Sequence, residues 1–137
     1  MSNMNEWNKA IIEEFRANEG KVGGQFENTT LLLLHTKGAK SGLPRLNPVA
    51  YIPDGDRFII IASKAGASSH PDWYHNLVAH PEVRVEVGTE QWQVRATVAS
   101  EPERSALYKK MATANPGFAE YENKTTRVIP VVILTRP

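Results

Sequence analysis

Two short segments of this chain alternate apolar and polar residues with period two: Val83-Arg84-Val85-Glu86-Val87 and Trp92-Gln93-Val94-Arg95-Ala96-Thr97-Val98. Side chains along an extended strand point to opposite faces in turn, so each segment offers one face to a core and one to water. A helix cannot sort such a pattern onto one side. Gly88-Thr89 lies in the connection, and the pair reads as an antiparallel hairpin.

Strand-like runs recur along the chain. Thr30 to Thr36 is leucine-rich, Pro44 to Ile52 and Arg57 to Ser63 are further apolar stretches, and Val128 to Thr135 is the last. Pro53-Asp54-Gly55-Asp56 is a turn in which Pro presets φ and Gly takes φ > 0. Pro130 inside the last run implies an edge strand or a bulge.

Three helices are predicted. The first spans Asn5 to Asn18, with Trp7, Ile11 and Phe15 on one face and Glu13, Glu14 and Arg16 on the other, ended by Gly20, Gly23 and Gly24. A second starts at Pro71, with Ser69 or His70 as its cap. It buries Trp73 and Leu77, with Tyr74 and Val78 beside them, and stops before Pro81. A third, Glu101 to about Ala114, carries Leu107, Met111 and Ala114 behind a Ser100–Glu103 capping box. About six strands, joined mainly by hairpins and flanked by helices, point to a mainly β (α+β) domain built as a small closed or split antiparallel β-barrel. Residues 1–24 are expected to form an N-terminal helix and linker, and 25–137 the barrel, within one domain of 137 residues.

Composition narrows the function classes. The chain has no cysteine, which excludes a disulfide scaffold, thiolate metal sites and cysteine nucleophiles. Its net charge of +1 supplies no global field to gather nucleic acid, so any cationic site must be local. The longest apolar runs, Leu31–Leu34, Phe58–Ala62 and Val131–Leu134, fall far short of the roughly 20 residues a spanning helix needs. No secretory signal is visible at the N-terminus. The expectation is a soluble, cytoplasmic protein, monomer or homodimer, with a peripheral membrane contact through the first helix left open. His35, His70, His75 and His80 lack the spacing of a helical metal site, and no metal is expected. Ser69, His70 and Asp72 make a triad only on paper, because no elbow motif frames the serine.

Two loops carry the chemistry. In KGAKSGLPR, Lys37, Lys40 and Arg45 flank Gly38, Ser41 and Gly42, with no acidic residue among them. Glycines let the backbone turn its N–H groups toward one anion, lysines act as point charges and arginine adds a planar fork for phosphate oxygens. By charge alone, a solvated surface hairpin accounts for this loop equally well. The second, SKAGASSHPDWYHNL, sets small residues and Lys64 before a helix start, whose free N–H groups favour a phosphate or a ring carbonyl. A plain connector is the alternative there.

Taken together, TLLLLHTKGAKSGLPRLNPVAYI, IIIASKAGASSHPDWYHNLVAHPEVRVEV and YENKTTRVIPVVIL resemble the deazaflavin-dependent nitroreductase family, the small split-barrel reductases of actinobacteria. The ASKxG…PxWYxNLxAxP block is the most specific part. The resemblance implies an FMN-binding split-barrel-like fold and a reduced 8-hydroxy-5-deazaflavin coenzyme, coenzyme F420. It assigns the coenzyme's phosphate and acidic tail to Lys37, Lys40, Ser41 and Arg45, with Asn47 and Pro48 following on the next strand. Ala62, Ser63, Lys64, Gly66 and Ala67 would line the deazaflavin ring, and Pro71, Trp73 and Asn76 its far wall. The implied reaction is hydride transfer to a small electron-poor acceptor: a quinone, an activated enone or lactone, or a nitroaromatic. The chain departs from the family in two places. Gly38-Ala39-Lys40 stands where relatives often have Gly-Arg-Lys, and Phe118 precedes Tyr121 where some relatives offer a further tyrosine. Tyr121 is then the expected proton donor or substrate contact. Two other readings remain: a deazaflavin carrier without catalysis, and an FMN-dependent enzyme on a similar barrel.

Overall fold

In a computed structural model, residues 3–22, 30–63 and 69–136 are described, with side chains of the first helix described from Lys9 onward. Strands β1 (Leu31–Lys37), β2 (Pro44–Asp54), β3 (Arg57–Ile61), β4 (Glu82–Val87), β5 (Glu90–Val98) and β6 (Val131–Thr135) form a closed barrel in the order β1-β2-β3-β6-β5-β4. Every neighbouring pair is antiparallel, and β4 returns to β1 through Leu33↔Glu86, Leu34↔Val85 and His35↔Arg84. Helices α1 (Asn3–Ala17), α2 (Asp72–Ala79), α3 (Glu103–Ala114) and α4 (Gly117–Lys124) flank it. Among the described residues no helix is long and apolar enough to cross a membrane.

Alternate residues of all six strands fill the barrel: Leu32, Leu34, Val49, Phe58, Ile60, Val83, Val85, Val94, Ala96, Val132 and Leu134. The outer faces differ. Leu31 and Leu33 of β1 are buried under Ile11 and Phe15 of α1. Ile59 and Ile61 of β3, with Val131 and Ile133 of β6, are buried under Leu107, Tyr108 and Met111 of α3. These strands are therefore apolar on both faces and read as unbroken runs, whereas the outward residues of β4 and β5, such as Arg84, Gln93, Arg95 and Thr97, remain exposed and keep the alternation. Each fully buried leucine or isoleucine stabilises the barrel by about 1.5–3 kcal/mol relative to exposure.

Two contacts fix the helical ends. Gly20, at φ +95°, lies so close to the β4–β5 turn that a Cβ there would sit 2.7 Å from Gly88 Cα. The start of α3 is held by Glu101, whose carboxylate accepts Ser105 N–H at 2.9 Å and Ser105 Oγ–H at 2.8 Å. The expected Ser100–Glu103 box is not what caps it. Nor does a side chain cap α2, where the expected Ser69 or His70 gives way to Pro71 as the N-cap residue.

Three further expectations are corrected. Pro130 neither marks an edge nor interrupts a strand: β6 begins one residue later and is paired on both sides. Its carbonyl accepts Ala62 N–H at 3.0 Å, so the missing proline N–H costs no ladder bond. Val78 is 55% exposed rather than part of the buried face of α2. Helix α4, with no fully buried residue, carries no apolar stripe that would have announced it.

Candidate functional site

Helix α2 covers one end of the barrel. Trp73, Asn76 and Leu77, at i, i+3 and i+4, are its buried residues, and Trp73 and Leu77 join the barrel core. Asn76 spends its carboxamide on the first loop: Oδ1 accepts Ala39 N–H at 2.9 Å and Nδ2 donates to Thr36 Oγ at 3.2 Å. Both Asn76 and Thr36 are buried, so these bonds satisfy groups that water does not reach. Helix and loop, separated in sequence, are thereby fastened at the same end of the barrel.

The first loop is tightly folded. Gly38 N–H donates to Leu43 O at 2.8 Å and Gly42 N–H to Gly38 O at 2.9 Å, with Gly42 at φ +71°. Ser41 Oγ accepts Leu43 N–H at 3.2 Å and lies where a Cβ on residue 38 would fall, so a side chain there would require the serine hydroxyl to move. Lys37, Lys40, Ser41 and Arg45 are exposed. Arg57, Arg95, Arg104 and Lys110 each hold a carboxylate, as does Arg16. Lys37, Lys40 and Arg45 have none among the described residues; Arg45 makes only a 3.4 Å bond to Pro44 O. Three cations around a glycine turn with no acidic partner suit a phosphate or carboxylate ligand, the groups that a phosphorylated coenzyme with an acidic tail carries.

At the exit of β3, Ala62 and Ser63 are buried. Their carbonyls accept from Arg127, at 3.2 Å from Nη1 to Ala62 O and 2.7 Å from Nη2 to Ser63 O. The same guanidinium donates to His70 Nδ1 at 2.8 Å. Burial foremost, then the charges of Arg127 and His75, hold the His70 imidazole below its ordinary pKa. Burial also lowers that of Arg127. The His70 ring packs at 4.8 Å from that of Tyr74.

Most of the expected coenzyme residues thus gather at one end of the barrel. By register, Arg45 shares the inward face with Thr36, and Asn47 with Leu34. Pro48 stands apart, paired with Leu33 on the side toward α1. Trp73 and Asn76 are buried plugs, turned to the barrel and the first loop. Lys64, Gly66 and Ala67 lie outside the described residues. Tyr121 belongs to α4, its ring 5.2 Å from that of Phe118 and packed on the outer cluster of β3 and β6. Nearby Tyr108 donates to Phe118 O at 2.5 Å, and burial pushes its hydroxyl up to about 12. Sequence reasoning missed Thr36, His70 and Arg127; the one signal for Arg127 was an arginine shortly before an apolar run. Among the described residues no three His, Asp or Glu side chains converge as a metal site.

Comparison with known proteins gives the same picture. The sequence profile of the F420H(2)-dependent quinone reductase family matches residues 7–136. An F420H(2)-dependent quinone reductase of Mycobacterium tuberculosis is 38% identical over 126 residues, covering 89% of this chain and 85% of the relative. A solved F420-H2 dependent reductase, FDR-A, superposes with a TM-score of 0.70 at 37% identity, over 76% of this chain and 92% of its own. A second solved structure, described as a domain-swapped dimer, gives 0.72 at 32% identity over 96% of this chain and 97% of its own. The barrel, the anion-ready loop and these likenesses agree: the chain belongs to the F420H(2)-dependent quinone reductase family and is an F420-dependent reductase.

Proposed function

We propose that the chain reduces small electron-poor acceptors, with quinones foremost and activated enones, lactones or nitroaromatics beside them, using reduced coenzyme F420 bound at the α2 end of the barrel. The observation that carries this reading is the loop of Lys37, Lys40 and Arg45, without an acidic partner among the described residues and tied by Asn76 to the helix covering the barrel end. When bound, the coenzyme supplies hydride from its ring carbon. The protein supplies place and surroundings. Lys37, Lys40, Ser41 and Arg45 take the phosphate and the acidic tail. Asn47, Ala62, Ser63 and Pro71 form the wall of the ring site, braced by Trp73 and Asn76. Buried β3-exit and α2 residues exclude water there and hold the acceptor against the ring. Tyr121 delivers the final proton. The family relationship supports a cytoplasmic enzyme. Ile11 and Phe15 of α1 are buried against β1 and are not free to meet a membrane. The domain-swapped form of a solved relative supports a homodimer.

The test is a fluorescence titration of the purified protein with coenzyme F420, followed by menadione added to the complex with the reduced coenzyme. Saturable binding with accelerated coenzyme oxidation is expected. Binding without acceleration by any quinone would leave a carrier, and a protein that binds no F420 but retains flavin on gel filtration would be an FMN enzyme.

A further inference from the structure

Arg127 touches both sides of the ring site proposed above, and nothing in the family relationship assigns it. It grips Ala62 O and Ser63 O at the exit of β3 and His70 Nδ1 just before α2, at 3.2, 2.7 and 2.8 Å. A guanidinium has donors only. Its bond to His70 Nδ1 therefore requires a lone pair on that nitrogen, which places the ring proton on Nε2 and leaves the imidazole neutral. Around the ring stand Arg127 from the approach to β6 and Tyr74 and His75 from α2, the latter two at 4.8 and 5.8 Å between ring centroids. None of these groups is acidic, so none of them favours imidazolium. Nε2 has no hydrogen-bond partner among the described residues, and the ring is half-exposed.

We infer that Arg127 is a positioning residue that locks His70 as an Nε2–H donor, and that this donor receives a carbonyl oxygen of a planar ring bound at the β3 exit. The inference rests on the reading of this end of the barrel as the coenzyme site. A neutral imidazole is suited to that role: it polarises a carbonyl without bringing a full charge beside a ring that is about to accept or give hydride. The carbonyl belongs to the deazaflavin or to the acceptor, two sources with one chemistry. By gripping the β3-exit carbonyls on one side and the imidazole itself on the other, Arg127 also sets the distance between the Ala62–Ser63 carbonyls and the ring of His70.

Two measurements decide it. In the free, full-length protein labelled with 15N-histidine, long-range 1H–15N spectra should show His70 at neutral pH with Nε2 protonated and Nδ1 bare. Arg127→Met should mix the tautomers and move the ring's titration to higher pH. A wild type with Nδ1 protonated, or spectra unmoved by Arg127→Met, overturns the lock. The second measurement compares His70→Phe, which keeps a flat ring without a donor, with His70→Gln, which returns an N–H near the same place. His70→Phe should weaken coenzyme binding about tenfold if the deazaflavin carbonyl is the partner, or raise the menadione KM about tenfold with coenzyme Kd unchanged if the acceptor is. His70→Gln should recover most of either loss. If His70→Phe changes neither value, or His70→Gln recovers nothing, the donor role falls. A wild type that binds no F420 would overturn the site and with it the ligand of His70, while the spectra would still decide the tautomer.

Discussion

Asn76 holds Thr36 across the end of the barrel, its Nδ2 3.2 Å from the threonine hydroxyl, while its Oδ1 takes the Ala39 N–H at 2.9 Å. One buried carboxamide thus joins α2 to the strand and loop that present Lys37 and Lys40. Asn76→Ala would leave the buried Thr36 hydroxyl and the Ala39 amide without this partner. A loss of about 1–3 kcal/mol in urea unfolding is expected, with weaker coenzyme binding besides. In a double-mutant cycle with Thr36→Val, the double mutant should lose less than the sum of the two single losses, because the residues share one bond.

Lys37, Lys40 and Arg45 are exposed and hold no carboxylate among the described residues. Replacing Lys40 or Arg45 by alanine should therefore leave the melting temperature nearly unchanged and weaken F420 binding by about tenfold each. Raising the salt concentration should weaken wild-type binding more than that of either variant, since exposed charges are screened. Equal salt dependence in all three proteins would remove the cations from the site.

Glu86 makes the fold sensitive to acid. The Arg16 hydrogen bond holds its carboxyl below the usual carboxylate range, against burial and with a further contribution from His35. Unfolded, the carboxyl takes up its proton at a higher pH than when folded, so acid favours unfolding. The stabilisation is complete above the ordinary value of about 4.3 and is lost as pH falls through the lower folded one. Urea midpoints measured from neutral pH down to about pH 3 should decline, and Glu86→Gln should start lower and decline less.

Gly20 tolerates no side chain. At φ +95°, with a Cβ falling 2.7 Å from Gly88 Cα, the obstruction is backbone and cannot swing aside. Gly20→Ala should cost about 1–3 kcal/mol in chemical denaturation. Gly55→Ala, at φ +62° with open space around it, isolates the conformational part of that cost and should lose less.

Tyr121→Phe keeps the ring that packs against Phe118 and removes only the hydroxyl. Menadione turnover should fall while coenzyme Kd stays where it was. Unchanged turnover would assign the proton to solvent. Tyr108→Phe is the control: its hydroxyl already serves Phe118 O, so stability should drop and chemistry should not.

What could be read from the chain depended on which faces met water. The β4–β5 hairpin was plain because Arg84, Gln93, Arg95 and Thr97 remain outside, so polar residues mark every second position. Strands β1, β3 and β6 lack that signature because α1 and α3 bury their outer faces, and an apolar run alone does not tell a strand edge from a strand centre. That is why Pro130 misled: its position one residue before β6 depends on a pairing with β3 that the local sequence does not encode. The charged half of the site was visible in Lys37, Lys40 and Arg45, which are close in sequence. Its uncharged half was not. Asn76 meets Thr36 across 40 residues and Arg127 meets His70 across 57, and no spacing rule connects positions so far apart.

The ring of strands closes where His35 lies beside Arg84 and only Leu33 to His35 meet Arg84 to Glu86. A closed ring leaves no rail of free N–H and C=O groups for another chain to lengthen. Were this seam to part, the molecule would show two matching rails at once, one along Leu31–Lys37 and one along Glu82–Val87, and a second molecule in the same condition could satisfy both. Guarding the seam are Arg16, His35 and Glu86, so the acid-labile carboxylate also stands watch over whether each chain completes its own barrel or borrows a strand from its neighbour.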